Sequence, residues 1–128
     1  LNIKGVYLYF HNITMNQQPM TEPASLDRLK ETIKNQPGVL VYFYNDRCAP
    51  CVSLRPKVIS LVEKEFTKIK LVFINSEKSP DIPAHYGVFS NPAILLFIEG
   101  REYLRKSKYI SESELREDIG RLYAMAFE

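Results

Sequence analysis

The sequence predicts an α/β domain in which a central mixed β-sheet carries helices on both faces, and three observations predict it. Strand-like apolar runs alternate with segments whose apolar residues recur at helical spacing, the pattern of a sheet wrapped by crossover helices. Residues 39–44 are apolar almost throughout, as a strand covered on both faces must be. The last two strand candidates are separated only by Glu99-Gly100-Arg101, so the parallel unit gives way to a hairpin.

The bounds set by composition agree with this reading. A chain of 128 residues fits one domain, expected over residues 25–128 and preceded by an arm or extra strand over residues 1–24. The 17 basic and 15 acidic residues are scattered, which leaves no electrostatic footprint for nucleic acid. No run approaches the roughly 20 apolar residues that span a bilayer. A monomer in the cytoplasm is expected. An exported location stays open, because the chain opens on Leu1 instead of Met and a natural start upstream is expected.

Taken in order, Gly5-Val6-Tyr7-Leu8-Tyr9-Phe10 is rich in β-formers and reads as a strand or arm before a polar loop. Ser25 caps a short helix with Asp27 in its first turn and Leu26, Leu29 and Ile33 on one face; Pro37-Gly38 ends it. The buried strand at 39–44 follows. Cys51, Leu54, Val58, Leu61, Val62 and Phe66 then mark a second helix, which Pro56 should kink without ending. Residues 69–74 form the next buried strand, and Pro80 and Pro83 lead through a short helix to a turn at Gly87. The hairpin of residues 93–98 and 102–106 comes next. Its Arg101, Arg105, Lys106 and Lys108 read as a solvated edge that discourages strand addition. Ser111 and Glu114 make a capping box for the closing helix, with Leu115, Ile119, Leu122 and Ala126 on its inner side.

The chemistry rests on Cys48-Ala49-Pro50-Cys51, where a buried strand meets a helix. Residues three apart in a helical turn lie side by side, so a disulfide can open and close there with little backbone motion. So short a loop adds little stability, which favours a chemical over a stapling role. Cys48, at the helix start, faces unpaired N–H groups that favour a thiolate, and Arg47 beside it adds positive charge. Cys51 lies on the apolar face, where burial limits access. Cys48 is therefore the expected nucleophile and Cys51 the resolving thiol. Pro50 fits a first turn, where a missing N–H is harmless. The pair needs no cofactor, and with His11 and His85 as the remaining soft donors, far apart in sequence, no metal site is expected.

With these pieces in place, residues 25–125 resemble the thioredoxin family: residues 39–51 with Pro56, then Tyr86-Gly87-Val88, then Asn91-Pro92-Ala93-Ile94-Leu95-Leu96-Phe97, and Gly100. The resemblance implies a thioredoxin-like fold and a thiol-disulfide oxidoreductase. Its partners would be protein disulfides and a dithiol reductase or an oxidant. It also implies that Pro92 follows a cis peptide bond and faces the cysteines. Asn91 and Pro92, with Arg47, Ala49 and Pro50, would then form the substrate-binding lip. Three positions depart from the family's pattern. Arg47 stands where a tryptophan is usual, Tyr42 stands where a buried acid is usual, and no glycine occurs near Lys108-Tyr109. The alternative these departures favour is a non-enzymatic thioredoxin-like module that binds protein.

Overall fold

The computed structural model describes residues 22, 23 and 25–128; the arm or extra strand expected over residues 1–24 lies, except for residues 22 and 23, outside them. The described elements run α1 (Leu26–Asn35), β1 (Gly38–Tyr44), α2 (Ala49–Glu65), β2 (Ile69–Asn75), α3 (Asp81–Tyr86), β3 (Ala93–Ile98), β4 (Arg101–Ser107) and α4 (Glu112–Phe127). They form the α/β architecture expected, a four-stranded mixed sheet in the order β2-β1-β3-β4 with helices on both faces.

Alternation along β1 divides the core. Leu40 and Tyr42 point to the face covered by α2 and α4, where they meet Leu54, Val58 and Ile119. Val39, Val41 and Phe43 point to the other face, where α1 and α3 supply Leu29, Ile33 and Ile82. Successive strand residues alternate sides, so a strand buried on both must be apolar at every position. That is why β1 sits at the centre.

Among the described residues the parallel part of the sheet is smaller than the sequence implied. Of these strands only β1 and β2 run parallel; β3 lies antiparallel to β1, and β4 to β3. The reason is that the chain between β2 and β3 passes β1 without returning to the opposite end of the sheet. β2 ends with Asn75 opposite Tyr44, and β3 begins with Ala93 opposite Phe43, so residues 76–92 stay at the carboxyl end of β1. A strand that starts there has to run back.

Local chemistry sets the element ends. The hydroxyl of Ser25 accepts from the Arg28 N–H at 3.2 Å and that of Ser111 from the Glu114 N–H at 3.3 Å, capping α1 and α4. Glu99 and Gly100 both take positive φ, 52° and 81°, in the two-residue turn that matches the twist of a hairpin. α2 continues through Pro56, whose missing N–H would have faced the exposed residue Val52.

Two sequence expectations change. Tyr123, not Ala126, completes the inner side of α4 beside Leu115 and Ile119, while Ala126 is exposed. Its ring packs on Phe66 at 5.1 Å, and its hydroxyl accepts from the Lys68 N–H at 3.2 Å, so both ends of the tyrosine are satisfied. The hairpin cations are also not simply solvated. Arg105 pairs with Glu102 at 2.7 Å and donates to the Tyr86 and Gly87 carbonyls at the end of α3, and Lys106 pairs with Asp118 of α4 at 2.8 Å.

Candidate active site

Because residues 76–92 remain at the carboxyl end of the sheet, three loops converge there: 45–48 after β1, 76–80 after β2, and 87–92 before β3. Cys48 is the N-cap of α2 in an extended conformation, and its Sγ accepts from the Cys51 N–H at 3.2 Å. Cys48 and Cys51 are joined as a disulfide, with Cα atoms 5.2 Å apart. The two sulfurs differ in access. Cys48 is half-buried, whereas Cys51 is 2% exposed on the inner face of α2.

Ala49 and Pro50 form the exposed first turn of α2. Pro92 is buried at the start of β3 and follows a cis peptide bond from Asn91, which is half-buried. The Asn91 side chain accepts from the Ser76 hydroxyl at 3.0 Å, and the Pro92 carbonyl accepts from the Lys108 N–H at 2.8 Å. Arg47 is exposed and turned toward Glu77, with which it forms an ion pair.

Tyr42 lies beneath the pair. It is fully buried, and its hydroxyl donates to the Cys51 carbonyl at 2.7 Å. Burial pushes its pKa up to about 12, against a smaller lowering by the Arg55 charge. The group is thus a protonated donor at neutral pH. Arg55 itself lies over the rings of Tyr44 and Phe73, at 4.6 and 4.3 Å from their centroids.

Asn75 joins the loops. Only 1% exposed, it donates through Nδ2 to Asp46 at 3.3 Å and accepts through Oδ1 from the Glu77 and Lys78 N–H groups at 3.0 and 3.2 Å. Its own backbone N–H donates to Glu22, whose carboxylate also accepts from the Tyr44 hydroxyl. One buried amide thus ties the segment before Cys48 to the segment carrying Arg47's partner.

The family model described as Thioredoxin matches residues 21–121. The chain belongs to the thioredoxin family. Among relatives, a thioredoxin of Buchnera aphidicola is 37% identical over 89 residues, 69% of this chain and 82% of that one. A thioredoxin-like protein of Bacillus subtilis is 29% identical over 106 residues, covering 83% and 94% of the two chains. The oxidized mitochondrial thioredoxin 3 of Saccharomyces cerevisiae superposes with a TM-score of 0.72 at 21% identity, over 83% of this chain and 98% of that one. Family membership and the bridged Cys48-Cys51 pair make the protein a thiol-disulfide oxidoreductase.

In this thioredoxin-family site, Asn75, Ser76, Glu22 and Glu77 were not singled out from the sequence. The one available signal was Asn75 itself, a polar residue closing the apolar run of β2. A groove of about 420 Å³ adjoins the site, running from Pro50 and Leu54 past Pro92 to Lys108, Tyr109 and Ile110. Among the described residues no helix is long and apolar enough to cross a membrane.

Proposed function

We propose that Cys48 is the nucleophile and Cys51 the resolving thiol in the reduction of protein disulfides. The observation that carries the reading is the difference in access across one bridge, with Cys48 half-buried at a helix N-terminus and Cys51 2% exposed. As a thiolate, Cys48 would be stabilised by the Cys51 N–H and by the positive end of α2.

The Cys48 thiolate attacks one sulfur of a substrate disulfide. A mixed disulfide forms, and the other substrate sulfur leaves as a thiolate. Cys51 gives its proton to water and attacks the Cys48 sulfur, forming the internal bridge and expelling the second substrate thiolate, which takes up a proton. Two electrons pass from the pair to the substrate. A dithiol reductase restores the pair, or an oxidised partner drives the same steps in reverse. Asn91 and Pro92, with Arg47, Ala49 and Pro50, form the lip against which the substrate chain lies. Asn91 precedes β3 and joins neither strand ladder, which suits it to pair with an extended visitor. We read the working unit as residues 25–128, acting as a cytoplasmic monomer.

Insulin-disulfide reduction tests this. Cys48→Ser should abolish turnover, and Cys51→Ser should accumulate a mixed disulfide that resists resolution. Wild-type turnover no faster than free dithiol, with both variants unchanged, would overturn the proposal in favour of a binding module.

A further inference from the structure

We infer that the groove beside Pro92 selects substrate disulfides flanked by an acidic residue, with Lys57 and Lys108 as the residues that set the preference. The inference rests on the redox reading above and adds to it the chemistry of the substrate segment.

The groove begins at Pro50, inside the redox segment, and passes the buried Pro92. Leu54 and Ile110 make its floor apolar, and Tyr109, 97% exposed, stands at its rim. An exposed aromatic side chain over an apolar trough is the ordinary composition of a recognition surface. Among the described residues its charged lining residues are both lysines, with no aspartate or glutamate. Neither lysine enters an ion pair among the described residues, whereas Arg105 and Lys106 of the same hairpin are neutralised by Glu102 and Asp118. Both positive charges therefore face whatever occupies the groove.

Lys108 carries a second indication. Its φ is +66°, in the left-handed region that glycine enters freely and a lysine enters only at a steric cost. Its N–H is committed to the Pro92 carbonyl at 2.8 Å, so the strained residue is held against the substrate lip. Strain kept next to a site is what a side chain retained for recognition would produce. The occupant that matches is an extended substrate segment with an Asp or Glu near the attacked cysteine and an apolar side chain for the floor.

The experiment uses the wild-type protein and two disulfide peptides identical except that the residues flanking one cysteine are glutamates or lysines, with an uncharged small disulfide in parallel. The expected kcat/KM for the acidic peptide exceeds that for the basic one by about tenfold at low salt, the size of a few exposed charge contacts. The gap should shrink as salt is raised. Lys57→Glu with Lys108→Glu should invert the ratio, in which any change in the chemistry of the sulfurs cancels; Lys108→Arg should preserve it. Reduction of the uncharged disulfide with a peptide ratio within twofold, or a ratio that charge reversal leaves alone, overturns the groove's selectivity while the redox reading stands. Failure to reduce the uncharged disulfide removes the redox reading and this inference with it.

Discussion

Replacing Tyr42 with phenylalanine should weaken the protein at neutral pH and strengthen it in alkali. Tyr42 is fully buried, and its hydroxyl donates to the Cys51 carbonyl at 2.7 Å. Losing that bond should cost about 1 kcal/mol at pH 7. Burial also raises its pKa from the usual 10.0 to about 12. Above pH 10.0 the unfolded chain has released the phenol proton while the folded chain keeps it, so stability falls as pH rises toward 12 and is fully present below 10.0. Two pKa units correspond to about 3 kcal/mol. Phenylalanine has no proton to lose, so the two stability curves should cross at about pH 11, with the variant the more stable beyond. Tyr44 and Tyr86 are also raised, chiefly by burial, and they cancel in the difference. Denaturant unfolding of both oxidised proteins across pH 7 to pH 11.5 reads the effect, as sampled at about half-unit steps. A stability difference that stays constant above pH 10 would mean that the phenol reaches water, and the description of the layer beneath Cys51 would be wrong.

Three further outcomes follow from single contacts. Asn75→Ala removes the amide that holds Asp46, Glu77 and Lys78, and should lower unfolding free energy by about 2 to 3 kcal/mol in denaturant titration. Arg55→Ala strips the guanidinium from the Tyr44 and Phe73 rings and should cost about 1 kcal/mol, while Arg55→Lys recovers part of it. Gly100→Ala forces a Cβ into φ +81° in the hairpin turn; a loss of about 1 kcal/mol in thermal unfolding is expected even though nothing lies within 4 Å of the added carbon.

Much of the fold was legible because its determinants are local. Ser25 and Ser111 cap the helices that follow them, and Gly100 occupies a turn that needs positive φ. The apolar run at β1 declares a strand covered twice, and the face from Cys51 to Phe66 declares the helix on one side of it. The direction of β3 was less accessible. It depends on where residues 76–92 travel, and a six-residue helix in that stretch is compatible with either a crossover or a return at the same end. The return that occurs is what brings Pro92 to the end of the sheet where Cys48 lies.

The site divides along the same line. Cys48, Pro50 and Cys51 share the first turn of one helix, so spacing and position placed them together in the sequence reading. Arg47 shows what adjacency leaves out: it neighbours Cys48 in sequence, and its guanidinium pairs with Glu77, 30 residues on. Arg47 lies in the turn between β1 and α2, and a neighbour's charge acts through space, from where the side chain points. Asn75 is the converse. Its oxygen caps the turn that follows it, accepting from the Glu77 and Lys78 N–H groups two and three residues on, while its amide nitrogen reaches the Asp46 carboxylate in the loop after β1, so one side chain that both donates and accepts serves two loops. The turn-capping half of that role is local, whereas the bond to Asp46 becomes readable when topology is known, since that partner is supplied by the terminus of another strand.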